Sequence, residues 1–159
     1  MIFITLGSQK FQFDRLLIAI DKLCEKGIVQ EEVFAQIGYS TYEPQNYKFA
    51  RFLNRDEFIE KTDRCDIFIT HGGTGAIIGA VKKGKRVIAV PRLAKYGEHV
   101  DDHQLQLLKE FGEMGIIVVC LEVDELQTAY EKIHNIQLKP YKSNQKRIIA
   151  DLDEYIESL

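Results

Sequence analysis

Short apolar runs alternating with amphipathic stretches, repeated along the whole chain, limit this sequence to few folds. Residues 2–6 are apolar and stop at Gly7, too short for a helix and long enough for a strand. Similar runs predict strands at 33–37, 48–53, 66–70, 87–90 and 116–120. Between them Phe13, Leu16, Leu17, Ile20 and Leu23 recur at helical spacing, and Asn54 followed by Glu57 is a capping-box pattern. Residues 74–83 are small and apolar enough for a buried helix, closed by Gly84. Further helices are expected at 101–111, 124–134 and 143–157, the last two separated by Pro140. Residues 39–47, with Pro44, Tyr39, Tyr42 and Tyr47, and residues 92–100 read as loops. Nearly continuous apolar strands with intervening helices predict a parallel sheet covered on both faces. Right-handed crossovers then leave a Rossmann-like, doubly wound α/β sheet, one domain over residues 1–159 with no internal repeat.

A net charge of −3 over 159 residues argues against nucleic acid as a partner, since its binders carry a basic stripe. The densest basic cluster, Lys82, Lys83, Lys85 and Arg86, is too short to change that. Cys24, Cys65 and Cys120 form no CxxC pair and no even set, which fits a reducing cytoplasmic compartment. No stretch approaches the roughly 20 apolar residues of a membrane span, so attachment to a membrane is expected to come through another molecule.

Ligands of doubly wound sheets bind at the carboxyl ends of the strands, near a topological switch point. That directs attention to three loops. Gly7 and Ser8 follow the first strand, where backbone and hydroxyl donors suit a phosphate or merely make a tight turn. His71, Gly72, Gly73, Thr74 and Gly75 open a helix, with unshielded amides and a dipole that favours an anion, and with Thr74 as N-cap or phosphate donor. Glu98, His99, Asp101, Asp102, His103 and Gln104 offer donors and acceptors for the hydroxyls of a ribose or a sugar. A metal is the rival reading, because His99 and His103 are four residues apart, but no third strong ligand stands at a recognisable spacing. No bound metal or cofactor is expected.

Two motifs fail. Gly79, Gly84 and Lys85 approach a Walker A loop, but Arg86 replaces the Ser or Thr and the order of elements is wrong. The dinucleotide fingerprint is missing as well, since only Gly7 follows the first strand and no acid ends the second.

The segment from His71 to Gln104, reading HGGTG, then GK before an apolar strand, then PR and GEHVDDHQ, resembles the C-terminal, donor-binding domain of family 28 GT-B glycosyltransferases. It is most similar to the free-standing versions, among them subunits of exopolysaccharide synthesis and of dolichol-linked N-acetylglucosamine transfer. The resemblance implies the C-terminal half of a GT-B fold, with a nucleotide diphosphate over Ser8, His71, Gly73 and Thr74 and the donor sugar near His103 and Gln104. It implies a UDP-sugar-binding subunit of a two-chain inverting hexosyltransferase that builds a surface polysaccharide, with galactose or N-acetylglucosamine as the sugar. The partners implied are a membrane-anchored acceptor-binding subunit and, through it, a polyprenyl-diphosphate-linked saccharide, which would place this chain at the inner face of the membrane. One position departs: Gly79 stands where the family carries a ribose-binding glutamate, so Glu98 is a substitute candidate. That departure favours the alternative of a non-catalytic accessory subunit; a stand-alone small-molecule-binding regulator with a Rossmann-like fold is a third reading. The apolar stripe of the 143–159 helix is a candidate docking element, although such stripes usually pack on their own domain.

Overall fold

A computed structural model describes residues 1–140, and the expected 143–157 helix lies outside the described residues. Among the described residues, six parallel strands form one sheet in the order β3-β2-β1-β4-β5-β6. They are β1 (Ile2–Thr5), β2 (Val33–Gln36), β3 (Lys48–Ala50), β4 (Ile67–Thr70), β5 (Arg86–Ala89) and β6 (Val118–Val119). The helices are α1 (Asp14–Glu25), α2 (Arg55–Arg64), α3 (Thr74–Lys82), α4 (His103–Glu113) and α5 (Leu126–Asn135). The chain winds outward from β1 to β3, then returns to the other side of β1 at β4. That reversal is the switch point, and it lies between β1 and β4.

Alternation along each strand divides the core into two layers. Ile2, Ile4, Ile67, Ile69 and Ile88 pack with Leu16, Leu17 and Ile20 of α1 and Leu126 and Ile133 of α5. Phe3, Phe68, Val87 and Ala89 face the other way, against Ile77 and Val81 of α3 and Leu107, Leu108 and Phe111 of α4. Both faces are dry, as a parallel sheet requires. The capping box forms as expected, with Asn54 accepting from the Glu57 amide and Glu57 accepting from the Asn54 amide.

Several boundaries move. The sixth strand shrinks to Val118–Val119, because only Ile88 and Ala89 of β5 are in register with it, although Ile116 and Ile117 stay buried. β5 begins at Arg86, one residue earlier than expected, and α4 begins at His103, two residues later, since Asp101 and Asp102 accept from the His103 and Ala94 amides instead of entering the helix. The expected 124–134 helix divides into a 3-10 turn, Val123–Glu125, and α5. The β2–β3 crossover contains no helix. It is held instead by α1, whose Asp14 accepts from the Thr41 and Tyr42 amides and whose Asp21 accepts from Tyr42 Oη and the Gln45 and Asn46 amides.

Candidate functional site

The exits of β1, β4 and β5 stand side by side at the carboxyl edge, and Thr70 Oγ1 donates to Thr5 O at 3.0 Å across the switch point. Gly7 has φ of 72°, a left-handed conformation that side chains rarely adopt. It turns the chain away from the sheet and leaves Ser8 exposed. Across the switch, Gly73 rather than Thr74 is the N-cap of α3, and no side chain caps that helix. The first-turn amides of α3 therefore keep their positive end available to an anion. Thr74 is the first helical residue and is buried.

His71 lies between those two glycines. A Cβ on Gly7 would meet His71 Nε2 at 2.7 Å, and one on Gly73 would meet His71 Cε1 at 2.5 Å. Both glycines thus make room for an imidazole as well as exposing amides. Burial, followed by the charges of Arg92 and His99, pushes the His71 pKa down to about 3, so the ring is neutral. Its Nδ1 is buried without a hydrogen-bond partner. A neutral ring has one donor and one acceptor nitrogen, and an orphaned one between the two glycine turns is a candidate partner for a ligand oxygen.

Gly72 has a different neighbour, since a Cβ there would meet Gln104 Cβ at 2.6 Å. Gln104 Oε1 accepts from the amides of Gly72 and Arg92, each at 3.2 Å, and so joins the β4 exit to the β5 exit. Arg92 then joins the β5 exit to the β1 exit. It is 1% exposed, and its guanidinium donates to Leu6 O, Phe11 O, Gln12 O and Glu98 O. The sequence motif PR marks this residue, but its four main-chain acceptors are remote or irregular and leave no trace in the sequence.

Glu98 is placed apart from the polyol role expected of it. Its side chain is wholly buried and accepts from Arg15 Nε and Nη2 and from the Leu93 amide, each at 3.0 Å. A carboxylate so occupied braces the loop and has no face turned to a ligand. Asp102 is exposed and accepts from the Ala94 amide, while His103 remains partly exposed at the start of α4. Asp101 stands between His99 Nδ1 at 3.2 Å and His103 Nε2 at 3.6 Å. Gly79 is exposed on α3, and a Cβ there would meet nothing within 4 Å.

Sequence reasoning missed one group. Tyr39, after β2, and Phe52, after β3, are each 48% exposed, with ring centroids 5.2 Å apart and edge-to-face. They flank Gly38, whose Cβ would lie 3.1 Å from Gly7 O. The two rings, in contact with each other beside a glycine turn, form an exposed surface on which a planar group could stack. The signal was available, in aromatics placed just past strand ends.

Compared with models of known families, residues 1–158 match the glycosyltransferase family 28 C-terminal domain. The chain belongs to that family. Among relatives of this family 28 domain, the human UDP-N-acetylglucosamine transferase subunit ALG13 is 25% identical over 128 residues, 75% of this chain. The Candida glabrata protein of the same name is 26% identical over 117 residues, 73% of this chain. The match spans only 11% of the human protein's length and 56% of the Candida glabrata one. Solved structures share the fold. The NMR structure of ALG13 has a TM-score of 0.61 at 18% identity, covering 93% of this chain and 94% of that one. The crystal structure of Acinetobacter baumannii MurG has a TM-score of 0.58 at 18% identity, covering 83% and 41%. The Rossmann-like doubly wound sheet expected from the sequence is therefore found. Among the described residues, no helix is long and apolar enough to cross a membrane.

Proposed function

We propose that this family 28 domain binds a UDP-sugar as the donor half of a two-chain inverting hexosyltransferase. The observation that carries the reading is the order of chemistry along the carboxyl edge. Tyr39 and Phe52 follow β2 and β3, the glycine turns follow β1 and β4, and the polar loop of Asp102, His103 and Gln104 follows β5. With strands about 4.8 Å apart, β3 and β5 are separated by roughly 19 Å, matching the reach of an extended nucleoside diphosphate sugar. A base would stack on the aromatic pair, the diphosphate would take amides and hydroxyls from Gly7, Ser8, Gly73 and Thr74 with His71 beneath, while the Gly72 amide stays on Gln104, and the sugar would meet Asp102, His103 and Gln104.

The chemistry is displacement at the anomeric carbon by an acceptor hydroxyl, with the diphosphate as leaving group. The negative charge that builds on that group is stabilised by the uncapped end of α3. The catalytic base and the acceptor come from a membrane-anchored partner that presents a polyprenyl-diphosphate-linked saccharide. Recruitment by that partner places this chain at the cytoplasmic face of the membrane. The names of the two relatives favour N-acetylglucosamine over galactose as the sugar. Assembly of a surface polysaccharide, a capsule or exopolysaccharide, is the pathway we assign, on the resemblance of the chain to the free-standing exopolysaccharide subunits of this family.

Isothermal titration of the chain with UDP, UDP-N-acetylglucosamine, UDP-galactose and ADP tests this reading. We expect the uridine ligands to bind in preference to ADP, and Phe52→Ala to weaken them by about 1–3 kcal/mol through lost stacking. Heat-silent titrations with all three uridine ligands would defeat it. The absence of a side chain at Gly79 supports the second reading, an accessory subunit that positions a partner transferase without binding a donor.

A further inference from the structure

We infer that Arg15 is a positioning residue for the sugar end of the donor site, acting through Glu98; this rests on the donor-binding reading above. Arg15 lies in the first turn of α1 and Glu98 lies 83 residues later, in the loop that leaves β5. The two meet as a fork, with Nε to Oε2 and Nη2 to Oε1, each at 3.0 Å. The Glu98 side chain is fully buried and that of Arg15 is 16% exposed, so the pair is shielded from solvent screening. Nη2 also donates to Pro91 O at 3.3 Å, and Glu98 Oε1 accepts from the Leu93 amide.

The guanidinium therefore grips the β5 loop at Pro91 and at Glu98, the two ends of the bend that leads to Asp102, His103 and Gln104. Tyr96 covers it from the loop side, its ring 4.5 Å from the Arg15 carbon, and Gln12 Nε2 donates to Tyr96 O. Phe13 lies between Arg15 and Arg92, at 5.5 and 5.3 Å from the two guanidinium carbons. The division of labour follows from these contacts. Arg92 and Gln104 fix the three strand exits to one another, and Arg92 also holds the Glu98 carbonyl, whereas the Arg15–Glu98 fork supplies the side-chain grip on the bend beyond them. The bend faces the sugar end of the edge, while Tyr39 and Phe52 hang on β2 and β3, on the far side of β1.

The test compares UMP, UDP and UDP-N-acetylglucosamine by calorimetry on the full chain, with thermal midpoints measured alongside. Arg15→Ala would strand a buried carboxylate, so the informative variants are Arg15→Lys, which keeps the charge and loses the fork, and the paired Arg15→Met with Glu98→Gln, which removes both charges. We expect UMP affinity within about 2-fold of the parent and UDP-N-acetylglucosamine weakened about 10-fold or more in both, because a loosened loop misplaces only the groups it carries. If all three ligands weaken by a common factor, or none weakens while the protein melts earlier, the pair is a stability element alone and the inference is overturned. If the parent binds none of the three ligands, the donor-binding reading itself falls, and this inference falls with it.

Discussion

The contact between Gly73 and His71 gives a prediction whose sign reverses with background. Gly73 has φ −74° and ψ 117°, a conformation open to any L residue. On backbone grounds alone, Gly73→Ala should stabilise the protein by about 0.4–1 kcal/mol, through loss of unfolded-state freedom. The new methyl would instead sit 2.5 Å from His71 Cε1 and 2.8 Å from Nε2, about 1 Å inside the usual carbon–carbon contact. His71 is 6% exposed and cannot swing out freely, so the overpacking should cost about 1–3 kcal/mol. In a His71→Ala background the clash is gone and the same substitution should become neutral or favourable. The coupling between the two sites is then roughly 2 kcal/mol, readable from urea denaturation of the four proteins in a double-mutant cycle. UDP titration of the folded single variants should show weakened binding in both. Equal costs for Gly73→Ala in the two backgrounds would refute the claim that these glycines are shaped around an imidazole.

Protonation of His71 should leave a second mark. Its pKa falls from 6.5 to about 3 on folding, so the unfolded chain binds the extra proton between those values. Stability from this group is complete above pH 6.5 and lost as pH falls, at up to about 1.4 kcal/mol per pH unit, and His71→Asn should flatten the slope seen in denaturation between pH 6.5 and 4.5. Gly79→Glu enters open space on an exposed helix face, so it should add about 0.5–1 kcal/mol to unfolding free energy and tighten UDP by supplying a ribose acceptor. A stabilised variant with unchanged UDP affinity would assign the ribose to another residue. Transfer to a lipid-linked acceptor should be negligible for the chain alone and appear when the membrane-anchored partner is added, because half a cleft cannot hold two substrates in attack geometry. Removal of residues 143–159 separates docking from core packing: lost co-purification with the partner by a folded sheet assigns the stripe to docking, and unfolding assigns it to the core; efficient transfer by the isolated chain would end the two-chain reading.

The fold was legible because parallel strands covered on both faces write themselves plainly into sequence. Ile2, Phe3 and Ile4 are all apolar, so the run marks a buried strand, yet only the sheet shows that Phe3 packs on a different layer from its neighbours. The turns at Gly7 and Gly73 were legible as glycine-rich, but their reason was half hidden. A glycine that exposes an amide and a glycine that yields to a ring look identical in one dimension. Glu98 shows the opposite limit. A carboxylate among histidines and aspartates reads as part of a polar site, and nothing local shows that Arg15 lies against it from 83 residues away. Arg92 was harder still, since its hydrogen-bond acceptors among the described residues are main-chain carbonyls, which carry no residue identity.

The helix-free route from β2 to β3 has a consequence for how the molecule breathes. Among the described residues β3 is a three-residue edge strand paired with β2 alone, and Asp14 and Asp21 of α1 pin the crossover that leads to it. Such a segment opens in a small unit, well below the free energy of global unfolding. Amides of Ile37 and Gly38, which donate to Ala50 O and Arg51 O, should therefore exchange with solvent deuterium far sooner than those of β1 and β4. Phe52 lies just beyond β3, so the nucleobase end of the groove travels with this unit. A uridine ligand would slow exchange there first, turning a weakly paired corner of the sheet into a reporter of occupancy.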